Sequence, residues 1–240
     1  MLEQIVGDIA RPACAQTATR TNTDALSLYQ HGRALVANGD YRAARRDFER
    51  AIAAGHRSAQ VDLAMLLAQP SAGMLDLHRA VLLEEKAWKD GVTVAGFELG
   101  RLYENGVARE ANPRGLLLAP DAARAWSWYQ KAAAAGDPNA LARLAERSIE
   151  ASQPTPAQLL ESFGYYAAAA ERARSEDWPS EAWIGWRHQR ASLARVLARA
   201  GMMPQVAHVY QDIRRRYAPP PLPAWRKLLA VIATRPAPRE

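Results

Sequence analysis

The side chains in this sequence best suited to chemistry are five histidines, one cysteine and two adjacent acidic pairs. Two histidines bind one metal from a helix when they stand four residues apart. His31, His56, His78, His188 and His208 never do, and Cys14 is the only thiol. A metal site needs three or four convergent ligands, so the histidines read as solvated or capping groups. Only His188 and His208 are spaced to face each other, across the last hairpin. No glycine-x-serine-x-glycine elbow positions a nucleophile, and no phosphate-binding glycine loop occurs. Glu84-Glu85 and Glu176-Asp177 come nearest to paired carboxylates. Adjacent residues on a helix point apart, so Glu84 and Glu85 cannot clamp one substrate. These residues imply no catalytic group, no metal and no cofactor.

Aromatic and basic residues remain. The tryptophans are Trp88, Trp126, Trp128, Trp178, Trp183, Trp186 and Trp225, and the formal net charge is +6. Aromatics interleaved with arginine can stack on bases. Arg187, Arg190, Arg195, Arg199 and Arg214 to Arg216 therefore offer a nucleic-acid reading, the alternative to a protein partner. Yet no basic block is longer than Arg214-Arg215-Arg216, which suits solvated helix faces. Trp183, Trp186 and Arg187 form a second candidate contact patch. Trp128 reads as core.

These side chains must be positioned by helices. Alanine and arginine abound and β-branched residues are few, which favours helix and argues against a substantial sheet. The stretch Ala95–Gly136 reads as two helices, each stopping at a glycine. It also repeats. Gly136, Ala140, Leu144 and Ala145 match Gly91, Ala95, Leu99 and Gly100, and also Gly55, Ala59, Leu63 and Ala64. In the second helix Ala44, Ala51 and Gly55 match Ala80, Ala87 and Gly91, then Ala125, Ala132 and Gly136. The glycines Gly55, Gly91 and Gly136 lie 36 and then 45 residues apart, a period of helical-hairpin arrays. Val107–Pro120, with three helix breakers, accounts for the longer interval and should loop out. The small residue after each seam leucine lets a neighbouring helix come close.

At these residues the sequence resembles the Sel-one-like repeat family, a branch of the tetratricopeptide-like repeats. Leu99-Gly100-Arg101-Leu102-Tyr103-Glu104-Asn105-Gly106 and Trp128-Tyr129-Gln130-Lys131-Ala132-Ala133 with Gly136-Asp137 carry the likeness. Gly32-Arg33-Ala34-Leu35 with Gly39-Asp40-Tyr41 is closer to a plain tetratricopeptide unit. The departures are Gln69–Gly73, where the tyrosine-glycine turn is lost, and the segment after Gly106. Some members of that family staple each repeat with a cysteine pair, which one cysteine cannot do. The resemblance implies an all-α, right-handed superhelical α-solenoid of four or five hairpins with a C-terminal capping helix.

The chain divides accordingly. Residues 1–23 are an irregular N-terminal segment, in which no basic start or long apolar run marks a signal peptide. The sequence as written is read as cytoplasmic, or periplasmic where an upstream signal is missing from it. No window reaches the roughly 18–20 apolar residues of a membrane span. Residues 24–150 hold the repeats, starting at the capping residue Asp24; Ser58 should cap the third helix. Leu77, Leu82, Leu83 and Trp88 are core candidates in the helix after Asp76. Residues 151–217 hold further hairpins: Pro156 to Ala173, then Glu181 to Ala200 paired with Pro204 to Tyr217. Residues 218–240 hold the proline spacer, a capping helix over Pro223 to Ala233 and a tail.

In tetratricopeptide-like arrays the first helix of each hairpin faces the groove. Counted from the seam leucine, the lining positions are Tyr29 and Arg33, Val61 and Met65, Phe97 and Arg101, then Ala142 and Glu146. Aromatic, apolar and basic groups in one row suit a peptide or helix of a partner. The resemblance implies a non-catalytic scaffold or adaptor in a bacterial assembly of the cell-envelope, secretion or exopolysaccharide type.

Overall fold

A computed structural model describes residues 24–109, 112–176 and 178–218. Among them the chain forms ten α-helices: α1 Ala25–Ala37, α2 Tyr41–Ala53, α3 Ala59–Ala68, α4 Leu77–Lys89, α5 Val94–Asn105, α6 Ala122–Ala134, α7 Pro138–Ser148, α8 Pro156–Ser175, α9 Ser180–Arg199 and α10 Met203–Arg216. Between α5 and α6 stands an antiparallel ribbon of β1 Val107–Arg109 and β2 Asn112–Leu118.

The first eight helices stack as four hairpins. α1 packs on α2, α3 on α4, α5 on α6 and α7 on α8, and each second helix also packs on the first helix of the next hairpin. α3 further touches α5, and α5 touches α7. First helices thus crowd together and line the inner side of the array, as in an α-solenoid.

Small residues make this stacking possible. Leu63, Leu99 and Leu144 are wholly buried, as the repeat requires. Gly100 lies so close to the ring of Tyr129 that a Cβ there would stand 2.4 Å from its Cε1 atom. Gly32 meets Phe48 the same way, at 2.6 Å. An aromatic ring of the second helix therefore rests on bare backbone of the first. In hairpin one the seam leucine is replaced by His31, which is hydrogen-bonded to Asp47, both mostly buried. His31 is thus a structural group, not the solvated one its spacing suggested.

The turns between hairpins repeat as well. Gly136 has φ 99°, a conformation that costs glycine least. Its N–H donates to the Ala133 carbonyl and that of Asp137 to Ala132, both at 2.9 Å. The same bond pair closes α2 at Gly55 and α4 at Gly91. These bonds satisfy carbonyls the helix end leaves open. Asp137 then caps α7 by accepting from the Ala140 N–H at 2.8 Å.

Several expectations are corrected. Ser58 makes no side-chain cap, because it already has helical dihedrals and α3 grows out of a tight turn. Gln69–Gly73 holds a 3₁₀ turn, Pro70–Ala72, before Gly73 at φ 65°. Val107–Pro120 does not simply loop out: Val107 pairs with Leu118 and Ala108 with Leu116, closing backbone bonds an open loop would leave to water. Leu82 is 51% exposed, on the outer face of α4. α9 and α10 pack mainly on α8, whose Leu160 shares a buried cluster with Leu197 of α9 and Val206 of α10 and whose Gly164 admits Ile213. The spacer, the capping helix over Pro223 to Ala233, the tail and residues 1–23 lie outside the described residues.

Replacing Gly100 by leucine drives a side chain into the Tyr129 ring. Denaturant unfolding of Gly100→Leu should show a loss of about 1–3 kcal/mol or more, with the helical circular-dichroism signal kept.

Candidate functional site

The inner face of hairpins two and three carries a cluster that departs from the repeat. Seven residues before the closing glycine, hairpin one has Phe48 and hairpin three has Tyr129. Hairpin two has Glu84 there. Opposite it stands Ala64, where the third hairpin has Gly100. A carboxylate is smaller than a ring, and a cavity of about 310 Å³ opens beside it. Ala64 and Met65 of α3, Ala80 and Glu84 of α4, and Glu98 and Arg101 of α5 are among its lining.

Glu84 is 3% exposed, and its Oε2 atom is buried without a hydrogen-bond partner. Burial, reinforced by the charges of Glu98 and Asp62 and opposed by Arg101, pushes its carboxyl up to about 9. Burial also raises Glu98 and Asp62 above the usual carboxylate range. Arg101 reaches Glu98 at 3.6 Å while remaining largely exposed. On the first-hairpin side, burial and then the nearby Asp62 charge push the Tyr29 hydroxyl up to about 12. The Tyr29 ring stacks on His56 at 4.1 Å, and Arg33 lies over it at 5.9 Å. A polar row therefore runs from Arg33 through Tyr29, Asp62 and the Glu84–Glu98 pair to Arg101.

The expected groove is only partly assembled. Met65 is 42% exposed at the cavity, and Arg33, Arg101 and Glu146 are exposed. Val61 and Ala142 are 5% and 3% exposed, so they leave the lining. Val61 packs with Ala87 and Ala95, and Ala142 joins the core around Tyr129. Phe97 leans on that core, its ring 5.7 Å from Tyr129. Glu146 is held at 3.1 Å by Arg143, which also binds Glu104 and Glu150.

The tryptophan patch is built into the C-terminal helices. Trp183 donates its indole N–H to the Trp178 carbonyl at 3.2 Å, Arg187 lies 5.4 Å over the Trp183 ring, and Trp186 packs on the core. The arginine run is partly neutralised: Arg214 pairs with Glu171, and Arg215 and Arg216 with Asp212. His188 and His208 are exposed on α9 and α10, helices that pack mainly on α8. Among the described residues no three histidine, cysteine or acidic side chains gather as a metal site, and no helix is long and apolar enough to cross a membrane.

Sequence reasoning weighed Glu84 only as a partner of Glu85 and passed over Asp62 and Glu98. The signal was present, since the alignment puts Glu84 in register with Phe48 and Tyr129, where a carboxylate has no packing reason to be.

Fold and inner face together define an α-solenoid of stacked helical hairpins. The solved structure of a Sel1 repeat protein from Oxalobacter formigenes matches over 89% of this chain and 99% of its own, at 18% identity and a TM-score of 0.50. The fold is therefore that of Sel1 repeat proteins. A protective antigen present in uropathogenic Escherichia coli strains, displaying an SLR fold, is also similar, over 96% of this chain and 65% of its own, at 17% identity and a TM-score of 0.43. No family model and no curated protein matches the sequence.

The buried acids set a pH dependence. A carboxyl whose folded value is raised holds its proton longer in the folded chain than in the unfolded one. Stability then falls as pH climbs from the ordinary value, 4.5 for Glu84, through the folded value of about 9. Urea midpoints should therefore decline between about pH 5 and pH 9. Glu84→Gln should flatten that decline and unfold later than the wild type at the alkaline end.

Proposed function

We propose that this chain is a non-catalytic scaffold whose inner face binds a segment of a partner protein. The observation that carries the reading is exposed Arg33, Met65 and Arg101 held on the packed first helices, with Met65 and Arg101 lining a cavity. Helices fixed by buried leucines present such groups without reordering, which lowers the entropic cost of binding. Met65 offers an adaptable apolar contact, and Arg33 and Arg101 pair carboxylates at the edges of the segment. The finer reading, from the family resemblance, is a bacterial assembly of the cell-envelope, secretion or exopolysaccharide type.

The test is a crosslinking pull-down with wild type and Arg33→Glu/Arg101→Glu. Both positions are exposed, so the double variant should keep its fold. A partner recovered by the wild type should fall by about tenfold or more with the variant, the effect of reversing two rim charges. Equal recovery of every partner removes the reading. Recovery that vanishes after nuclease treatment and falls steeply with salt transfers the function to nucleic acid.

A further inference from the structure

We infer that the cavity beside Glu84 is a socket for one basic side chain, lysine or arginine, of the bound partner segment, with the Glu84 and Glu98 carboxylates as its charge partners. This rests on the inner face being the partner site, and it adds what that site selects.

The socket lies where one residue breaks the repeat. Phe48 fills the space above Gly32, and Tyr129 the space above Gly100. Glu84 in the same register lines a cavity of about 310 Å³ between α3, α4 and α5, at the small end of the range for ligand pockets. A repeat that sought only packing would carry a ring here.

The chemistry of the walls selects the occupant. Ala64, Met65 and Ala80 are apolar and suit an alkyl stem, while the charged head of lysine or arginine reaches the polar end. The Glu84 Oε2 atom is buried and unpaired. A buried polar atom left unpaired is costly, and a cationic donor that ionises the carboxyl and bonds it recovers part of that cost. The ionisable groups acting on Glu84 are Asp62 from α3 and Glu98 and Arg101 from α5. Two neighbouring acids against one arginine, itself turned to Glu98 at 3.6 Å, favour a cation over an anion. With the Glu84 carboxyl raised to about 9, it holds its proton near neutrality. Entry of a cation ionises it and passes that proton to the buffer, so affinity rises with pH.

The experiment uses the full chain with methyl-labelled alanine, titrated with n-butylammonium and n-butylguanidinium, and n-pentanol as a neutral match. Saturable shifts at the Ala64 and Ala80 methyls are expected with the cations and not with pentanol. Glu84→Gln should weaken the cations at least about tenfold, the scale of a lost charge-assisted bond. Ala64→Gly/Glu84→Tyr, which rebuilds the ring-on-glycine contact of hairpin three, should fold and abolish cation shifts. Calorimetry in two buffers of different ionisation heat should report proton release. Equal binding of pentanol, unchanged binding by Glu84→Gln, or no saturable shift overturns the socket while leaving the scaffold reading intact. The second arm repeats the pull-down with Glu84→Gln. A loss of partner supports a protein side chain as occupant. Cation binding with unchanged partner recovery overturns that occupant in favour of a free amine, and failure of Arg33→Glu/Arg101→Glu to lose partner overturns the scaffold reading by itself.

Discussion

The first and third hairpins are set by one contact, an aromatic ring of a second helix laid on the bare backbone of a first. At Gly100 and Gly32 that contact is closer than any Cβ allows. It sets the spacing within the hairpin, because the ring can approach only where the side chain is missing. Buried leucines then fill the seam between hairpins, and alanines at the matching positions keep it thin. Close packing of this kind resists deformation, so the inner face is a fixed surface and not one that must be ordered when a partner arrives.

The second hairpin shows what happens when the contact is given up. Glu84 takes the place of the ring, Ala64 the place of the glycine, and both line a cavity that Glu98 also lines. Buried acids that hold their protons lower stability above neutrality, a cost the hairpins on either side do not carry at this register. A position that sacrifices packing, and also collects Asp62 and Glu98 as neighbours, is where recognition and folding pull in opposite directions.

Much of the fold could be read from residue spacing. Gly55, Gly91 and Gly136 close three helices with identical bonds, because glycine in that phase after an apolar stripe has few other uses. What escaped has physical causes. The ribbon after Gly106 rests on backbone pairing, which residue types such as Pro113 and Gly115 do not announce. α9 and α10 carry hairpin-like residues, yet α8 is 20 residues long and offers a face to each of them. Counting from the seam leucine placed Met65 and Arg101 on the lining but also Val61 and Ala142, which neighbouring hairpins cover; one helix alone cannot show how far its neighbour reaches. The acidic cluster was missed because its members come from three different helices.

The ribbon of β1 and β2 has its own consequence. It lengthens the connection from α5 to α6, and the Asp121 N–H returns to the Tyr103 carbonyl at 2.6 Å, so the chain re-enters the array beside the place it left. Length held in the connection from α5 to α6 is thereby kept out of the phase of the hairpins, so this array tolerates unequal repeat spacing.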